Sequence, residues 1–146
     1  MSAPVTIEHR ERLPPHRRVL PLIAVAAAHL IGRLPPKHIR RLLTTCARSA
    51  RPATYPEAAR ARRAVIAVSM HCAGQGCLPR SIATALLCRA HGSWPTWCSG
   101  VRTVPFLAHA WVEADGRPVD EQPAVARMSR LIIVPAPAFR LSPADV

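Results

Sequence analysis

Apolar residues fill Val19 to Ile31 almost without a break. A helix that is apolar nearly all round has no face suited to water, so this run predicts a buried helix. Pro35-Pro36 opens a second helix over about 36–49. In it Ile39, Leu42, Leu43 and Cys46 recur at i, i+3, i+4 and i+7, leaving Arg40, Arg41 and Arg48 toward solvent. A third helix starts at Pro56-Glu57 and runs to about Cys72, with Ala61, Val65, Val68 and Cys72 on one face, until Gly74 and Gly76 break it. The fourth spans about 77–90, with Leu78, Ile82, Ala85 and Leu86 on adjoining faces. Pro79 falls in its first turn, where a missing N–H is tolerated, and Gly92 stands where a left-handed C-terminal cap is wanted. This register puts Cys77 at the N-cap or first position of the helix.

Beyond Gly92 the period changes from helical to alternating. Thr96 to Val104 reads as a strand with an irregularity at Gly100. Phe106 to Glu113 alternates cleanly, with Phe106, Ala108, Ala110 and Val112 on one face and Leu107, His109, Trp111 and Glu113 on the other. Asp115-Gly116 is a two-residue hairpin signal, after which Arg117 to Asp120 returns as a short strand. Leu131 to Val134 is a last β-like run before an irregular proline-rich tail. The predicted fold is α+β, with N-terminal helices packed on a small antiparallel sheet. A basic arm over 1–18, mobile or ordered by a partner, precedes a single domain over 19–146, helical in 19–91 and mainly β in 96–134.

Composition narrows the function classes. A chain of 146 residues suits one domain with a real core. With aromatics at 4%, that core is expected to consist of Ala, Val, Leu and Ile. The formal charge is +12, but Lys occurs once and the arginines are not interleaved with aromatics, which disfavours nucleic acid and suits an acidic peptide or protein partner. The run Val19 to Ile31 is too short to cross a bilayer, and Pro21 and His29 spoil it as a signal peptide, so no membrane role is expected. Five cysteines cannot all pair within the chain and no CxxC occurs, which favours a reducing, cytoplasmic compartment.

One constellation carries chemistry. A cysteine nucleophile needs its thiolate stabilised, and a helix start, an imidazole and a carboxylate behind the imidazole do this together. Cys77 at a helix start, His109 on a strand and the acids Asp120-Glu121 past the hairpin supply that order. A regular return strand aims Asp120 at His109 and turns Glu121 away, so Asp120 is the favoured acid and Glu121 the alternative; a bulge or turn reverses the choice. The Cys77 backbone N–H at the helix start is the natural oxyanion donor, with Gln75 as a second candidate. Arg80 and Ser81 read as local supports. A rival from another class is a zinc module built from His71, Cys72, Cys77, Cys88, His91 and Cys98, although these spacings lack paired knuckles. A non-catalytic adaptor and an acyltransferase with the same triad are two further rivals. No other cofactor is expected.

The segment from about 60 to 134 resembles the lasso-peptide leader peptidases, a bacterial branch of the transglutaminase-like cysteine protease fold. The resemblance rests on Cys77-Leu78-Pro79-Arg80-Ser81, Gly100-Val101-Arg102, Pro105-Phe106, Ala108-His109-Ala110-Trp111-Val112-Glu113 and Gly116-Arg117-Pro118-Val119. It implies a cysteine, histidine and acid triad, the first two at Cys77 and His109. Members often carry Asn-Asp where this chain has Asp120-Glu121. It further implies cleavage of a leader from a ribosomally made precursor peptide. With helices alone in the first 55 residues, the chain is similar to the stand-alone form, which works with a separate leader-recognition protein; the lasso cyclase is a further partner that the resemblance implies.

Overall fold

The computed structural model describes residues 6–137. The N-terminal five residues of the expected arm and the end of the proline-rich tail lie outside that range. The chain folds as helices against a small antiparallel sheet, an α+β arrangement. In chain order the elements are α1 (Val19–Ile31), α2 (Pro36–Ala47), β1 (Arg51–Pro52), α3 (Tyr55–Val68), α4 (Met70–Ala73), α5 (Cys77–Ala90), β2 (Ser93–Trp94), β3 (Thr96–Thr103), β4 (Phe106–Ala114), β5 (Arg117–Pro118) and β6 (Ser129–Val134). The four-stranded sheet has the order β5-β4-β3-β6, while β1 and β2 form a separate parallel pair.

α5 is the central helix. It packs against α1 and α3 on one side and against β4 on the other. Eight of its residues are buried, including Ile82, Ala83, Ala85 and Leu87. The third helix is shorter than the periodicity predicts. Ser69 adopts an extended conformation and its hydroxyl accepts the Cys72 N–H at 3.2 Å, so one helix ends and a new one-turn helix begins. At the other end Thr54 and Glu57 form a capping box that starts α3.

Two expectations about burial change. The core is not aliphatic throughout: Trp94, Trp97 and Trp111 are its largest fully buried side chains. Each indole N–H has a partner, at Val134 O, Ser81 Oγ and Glu113 Oε1 respectively, which is what permits burial of a polar ring. Conversely, α1 is not buried all round. Pro21, Ala24, Val25 and Ala28 face the core, whereas Val19, Leu22, Ile23 and Leu30 face outward.

The residues before α1 are attached to the body. The Glu8 N–H donates to Ala73 O at 3.0 Å, and the Arg10 guanidinium donates to Ile66 O and Ala67 O. Hence this part of the arm is a strap across α3 and α4. No helix of the described residues is long and apolar enough to cross a membrane.

Candidate active site

Cys77 is the first residue of α5, reached through a tight turn. Gly76 at φ −79°, ψ 55° is the centre of an inverse γ-turn in which the Cys77 N–H donates to Gln75 O at 2.9 Å. A Cβ at position 76 would lie 2.5 Å from His71 Cδ2 and 2.8 Å from the His71 carbonyl oxygen, so the turn needs glycine. The N–H expected to serve as an oxyanion donor is therefore engaged by the Gln75 carbonyl. To bind an oxyanion it must leave that carbonyl, a rotation at Gly76. Arg80, one turn into α5, donates to Cys72 O at 3.0 Å and Gly74 O at 3.3 Å and so ties down the loop that precedes the cysteine. Ser81 accepts the Trp97 indole N–H at 3.0 Å and donates to Leu78 O, a structural role within α5.

His109 comes from β4, whose hairpin with β3 pairs it with Gly100. That position also needs glycine, because a Cβ there would meet Ser129 O at 2.5 Å and the Trp111 ring at 3.0 Å. The imidazole is held on three sides. Trp111 lies nearly parallel to it, 14° between planes and 5.9 Å between centroids. Its Nε2 meets Glu121 Oε2 at 2.9 Å. On the third side stands the Cys77 thiol, which interacts with the His109 side chain and with the Ala110 backbone N–H.

The structure brings Glu121, not Asp120, to His109. The return strand predicted over Arg117 to Asp120 pairs only through Pro118, with one further bond from Val119 N–H to Val112 O. Asp120 then takes φ +48°, a left-handed conformation that ends the strand and rotates the next residue inward. Tyr55 holds this turn: its hydroxyl donates to Asp120 Oδ1 and accepts the Asp120 N–H, both at 3.0 Å. Asp120 thereby faces Tyr55 and Arg63, while Glu121 is buried against the imidazole.

Behind Glu121 stands a residue that hydrophobic periodicity does not flag. Arg62 is 3% exposed and projects from α3 between two carboxylates. It makes a two-pronged ion pair with Glu8 at 2.6 and 2.8 Å, and lies 3.6 Å from Glu121 Oε1. The second Glu121 oxygen is thus occupied while the first meets His109. A signal for Arg62 exists in the sequence, because it interrupts the buried series Ala58, Ala61, Val65 and Ile66 of α3. Glu8 offers none, being one of two acids in a basic arm.

The electrostatics single out one thiol. Burial raises Cys46 and Cys72 above the usual thiol value and pushes Cys88 and Cys98 up to about 12. Burial also opposes ionisation of Cys77. Its bond to His109, the Ala110 N–H, the imidazolium charge and Arg80 outweigh that, and its pKa is lowered. Burial disfavours the His109 imidazolium, but its hydrogen bonds to Cys77 and Glu121 raise its pKa to about 9. Thiolate and imidazolium therefore stabilise each other. The six residues of the zinc reading do not gather: among the described residues no three His, Cys, Asp or Glu side chains are placed to hold a metal ion.

No curated protein and no solved structure matches the chain. Residues 21–132, from α1 into β6 and including Cys77, His109 and Glu121, match the family described as the transglutaminase-like superfamily. With most of its length covered by that match, the chain belongs to the transglutaminase-like superfamily.

Proposed function

We propose that the chain is a cysteine peptidase that removes the leader from a ribosomally made lasso precursor peptide, with Cys77, His109 and Glu121 as its triad. Members of the superfamily are typically cysteine proteases or acyltransferases, and both use a thioester intermediate. The observation that carries the reading is the arrangement about one imidazole: Glu121 lies at 2.9 Å from Nε2, and against burial the same imidazole lowers the pKa of the Cys77 thiol. The choice of leader cleavage rests on the sequence resemblance from Cys77-Leu78-Pro79-Arg80-Ser81 through Gly116-Arg117-Pro118-Val119.

In this mechanism the Cys77 thiolate attacks the scissile carbonyl carbon, forming a C–S bond and an oxyanion. The Cys77 N–H, released from Gln75, donates to that oxygen. His109 gives its Nδ1 proton to the departing amide nitrogen as the C–N bond breaks. The neutral imidazole next takes a proton from water, whose oxygen attacks the thioester. The C–S bond breaks, a carboxylic acid leaves and the thiolate–imidazolium pair is restored. Glu121 fixes the ring orientation and stabilises its charge at both proton transfers, and the stacked Trp111 shields that face from water.

The test incubates the chain with precursor peptide and its leader-recognition protein and follows leader release by mass spectrometry. Wild type releases leader at one bond and Cys77→Ala releases none; equal release by Cys77→Ala would sink the reading. The pH dependence has a definite shape as well. Activity requires thiolate and imidazolium together. It rises as Cys77 ionises, below the ordinary thiol range, and falls as the imidazolium is lost near pH 9. Both limbs belong to the coupled pair. A rate that keeps climbing above pH 10 (roughly one unit past the alkaline limb) would show an unpaired thiol.

A further inference from the structure

We infer that the outward face of α1 is a docking surface for an acidic partner protein, and that this face sets the partner's cargo beside Cys77. The inference rests on the peptidase reading above, in which the occupant is the leader-recognition protein. Val19, Leu22, Ile23 and Leu30 fall at i, i+3, i+4 and i+11 and are 58, 48, 59 and 66% exposed. Ala26, at i+7, is exposed as well and closes the gap in the stripe. Among the described residues nothing covers it. A continuous apolar stripe on a helix whose opposite face is already buried marks an interaction site more often than chance exposure.

Charge chooses the occupant. Between Glu11 and Glu57 the chain has no acidic residue but nine basic ones, among them Arg17 and Arg18 just before α1 and Arg33 and Lys37 just after it. The stripe is thus flanked by exposed basic residues at both ends, with Glu11 the acid that shares a cleft with Leu22 and Arg18, and its complement is an apolar patch that carries carboxylates toward those ends. A second copy of this chain would bring +12 against +12. A bilayer surface is a poorer match, because α1 carries no aromatic anchor and no Lys or Arg along its length.

Position links the surface to the chemistry. At its C-terminal end, His29 of α1 lies against His71, with ring centroids 5.5 Å apart. His71 in turn covers Gly76, the glycine of the turn before Cys77. A Cβ at Gly32, just past α1, would lie 3.6 Å from Leu78 Cδ2, on the other side of Cys77. The C-terminal end of α1 thus lies beside the turn that leads into Cys77, so a protein seated along α1 reaches the neighbourhood of the nucleophile.

The experiment titrates the purified leader-recognition protein into the full chain by calorimetry, with Ile23→Glu and Leu30→Glu on the stripe and Leu131→Glu on β6 as a control. Both stripe variants are exposed sites and should fold, checked by unchanged alkylation of Cys77 with iodoacetamide. The inference predicts wild-type binding that weakens with salt, about tenfold or greater loss of affinity in each stripe variant, and none in Leu131→Glu. Leader release should fall in step through a raised KM. Wild-type affinity in both stripe variants overturns the inference. So does absence of wild-type binding, a dimer in light scattering that Ile23→Glu dissociates, or a stripe that binds phosphatidylglycerol vesicles instead of the protein. Cleavage of the precursor without such binding would leave the peptidase reading intact, whereas selective binding without any cleavage would leave the surface and remove that reading.

Discussion

Glu121→Ala is expected to lower the proposed leader cleavage by about a thousandfold, and Asp120→Ala to lower it by less than about tenfold. The difference follows from which carboxylate the imidazole meets. Glu121 Oε2 is 2.9 Å from His109 Nε2 and the side chain is buried. Asp120 lies instead against Tyr55 at 3.0 Å and Arg63 at 3.9 Å. Without Glu121 the imidazole loses its orienting acceptor and the partner that helps to hold its charge, so the thiolate loses its counter-ion in turn. Asp120→Ala removes the Tyr55 hydrogen bond to its side chain and the exposed pair with Arg63, neither of which touches His109, while the bond from the residue 120 N–H to Tyr55 Oη needs no side chain at that position. Turnover numbers for the two variants, with circular dichroism to confirm folding, decide the matter. A severe loss in Asp120→Ala beside a mild one in Glu121→Ala would reverse the assignment.

The second large effect is on stability. Arg62→Met leaves Glu8 and Glu121 facing each other across a buried site without their shared cation. Breaking a buried pair from one side costs about 3–5 kcal/mol. Since the Glu8 side chain is 39% exposed and can turn to water, the lower end applies. For a domain of this size that is a fall of roughly 10 °C in Tm. Arg62→Lys keeps the charge but loses the two-pronged grip on Glu8, and should fall between wild type and Arg62→Met in both Tm and turnover. A Tm within about 2 °C of wild type in Arg62→Met would show that the pair contributes little, as exposed pairs do.

Much of the site was legible because its parts depend on local signals. Glycines around Cys77, Pro79 in the first turn and Gly92 at the end bound α5 without tertiary information. Strict alternation fixed β4 and the face of His109, and Asp115-Gly116 fixed the hairpin, with both residues at positive φ. The acid was not legible in the same way. A one-residue change of backbone conformation at Asp120 exchanges which side chain points inward, and the hydrogen bonds that hold it come from Tyr55, 65 residues away. The Arg62–Glu8 pair was hidden for the same reason, since it joins positions 54 residues apart. The outward face of α1 escaped the pattern because composition reports how apolar a helix is, and not which of its faces finds a neighbour.

A Cys77 thiolate paired with the His109 imidazolium can be measured without substrate. The rate of Cys77 alkylation by iodoacetamide, followed by intact-protein mass spectrometry from pH 4 to 10 (about the range over which thiols titrate), reports the thiolate directly. Fast alkylation should persist well below the usual thiol range, with a midpoint that moves up in His109→Ala and in Glu121→Ala. A single midpoint near the ordinary thiol value of about 8.5, the same in all three proteins, would contradict the pairing.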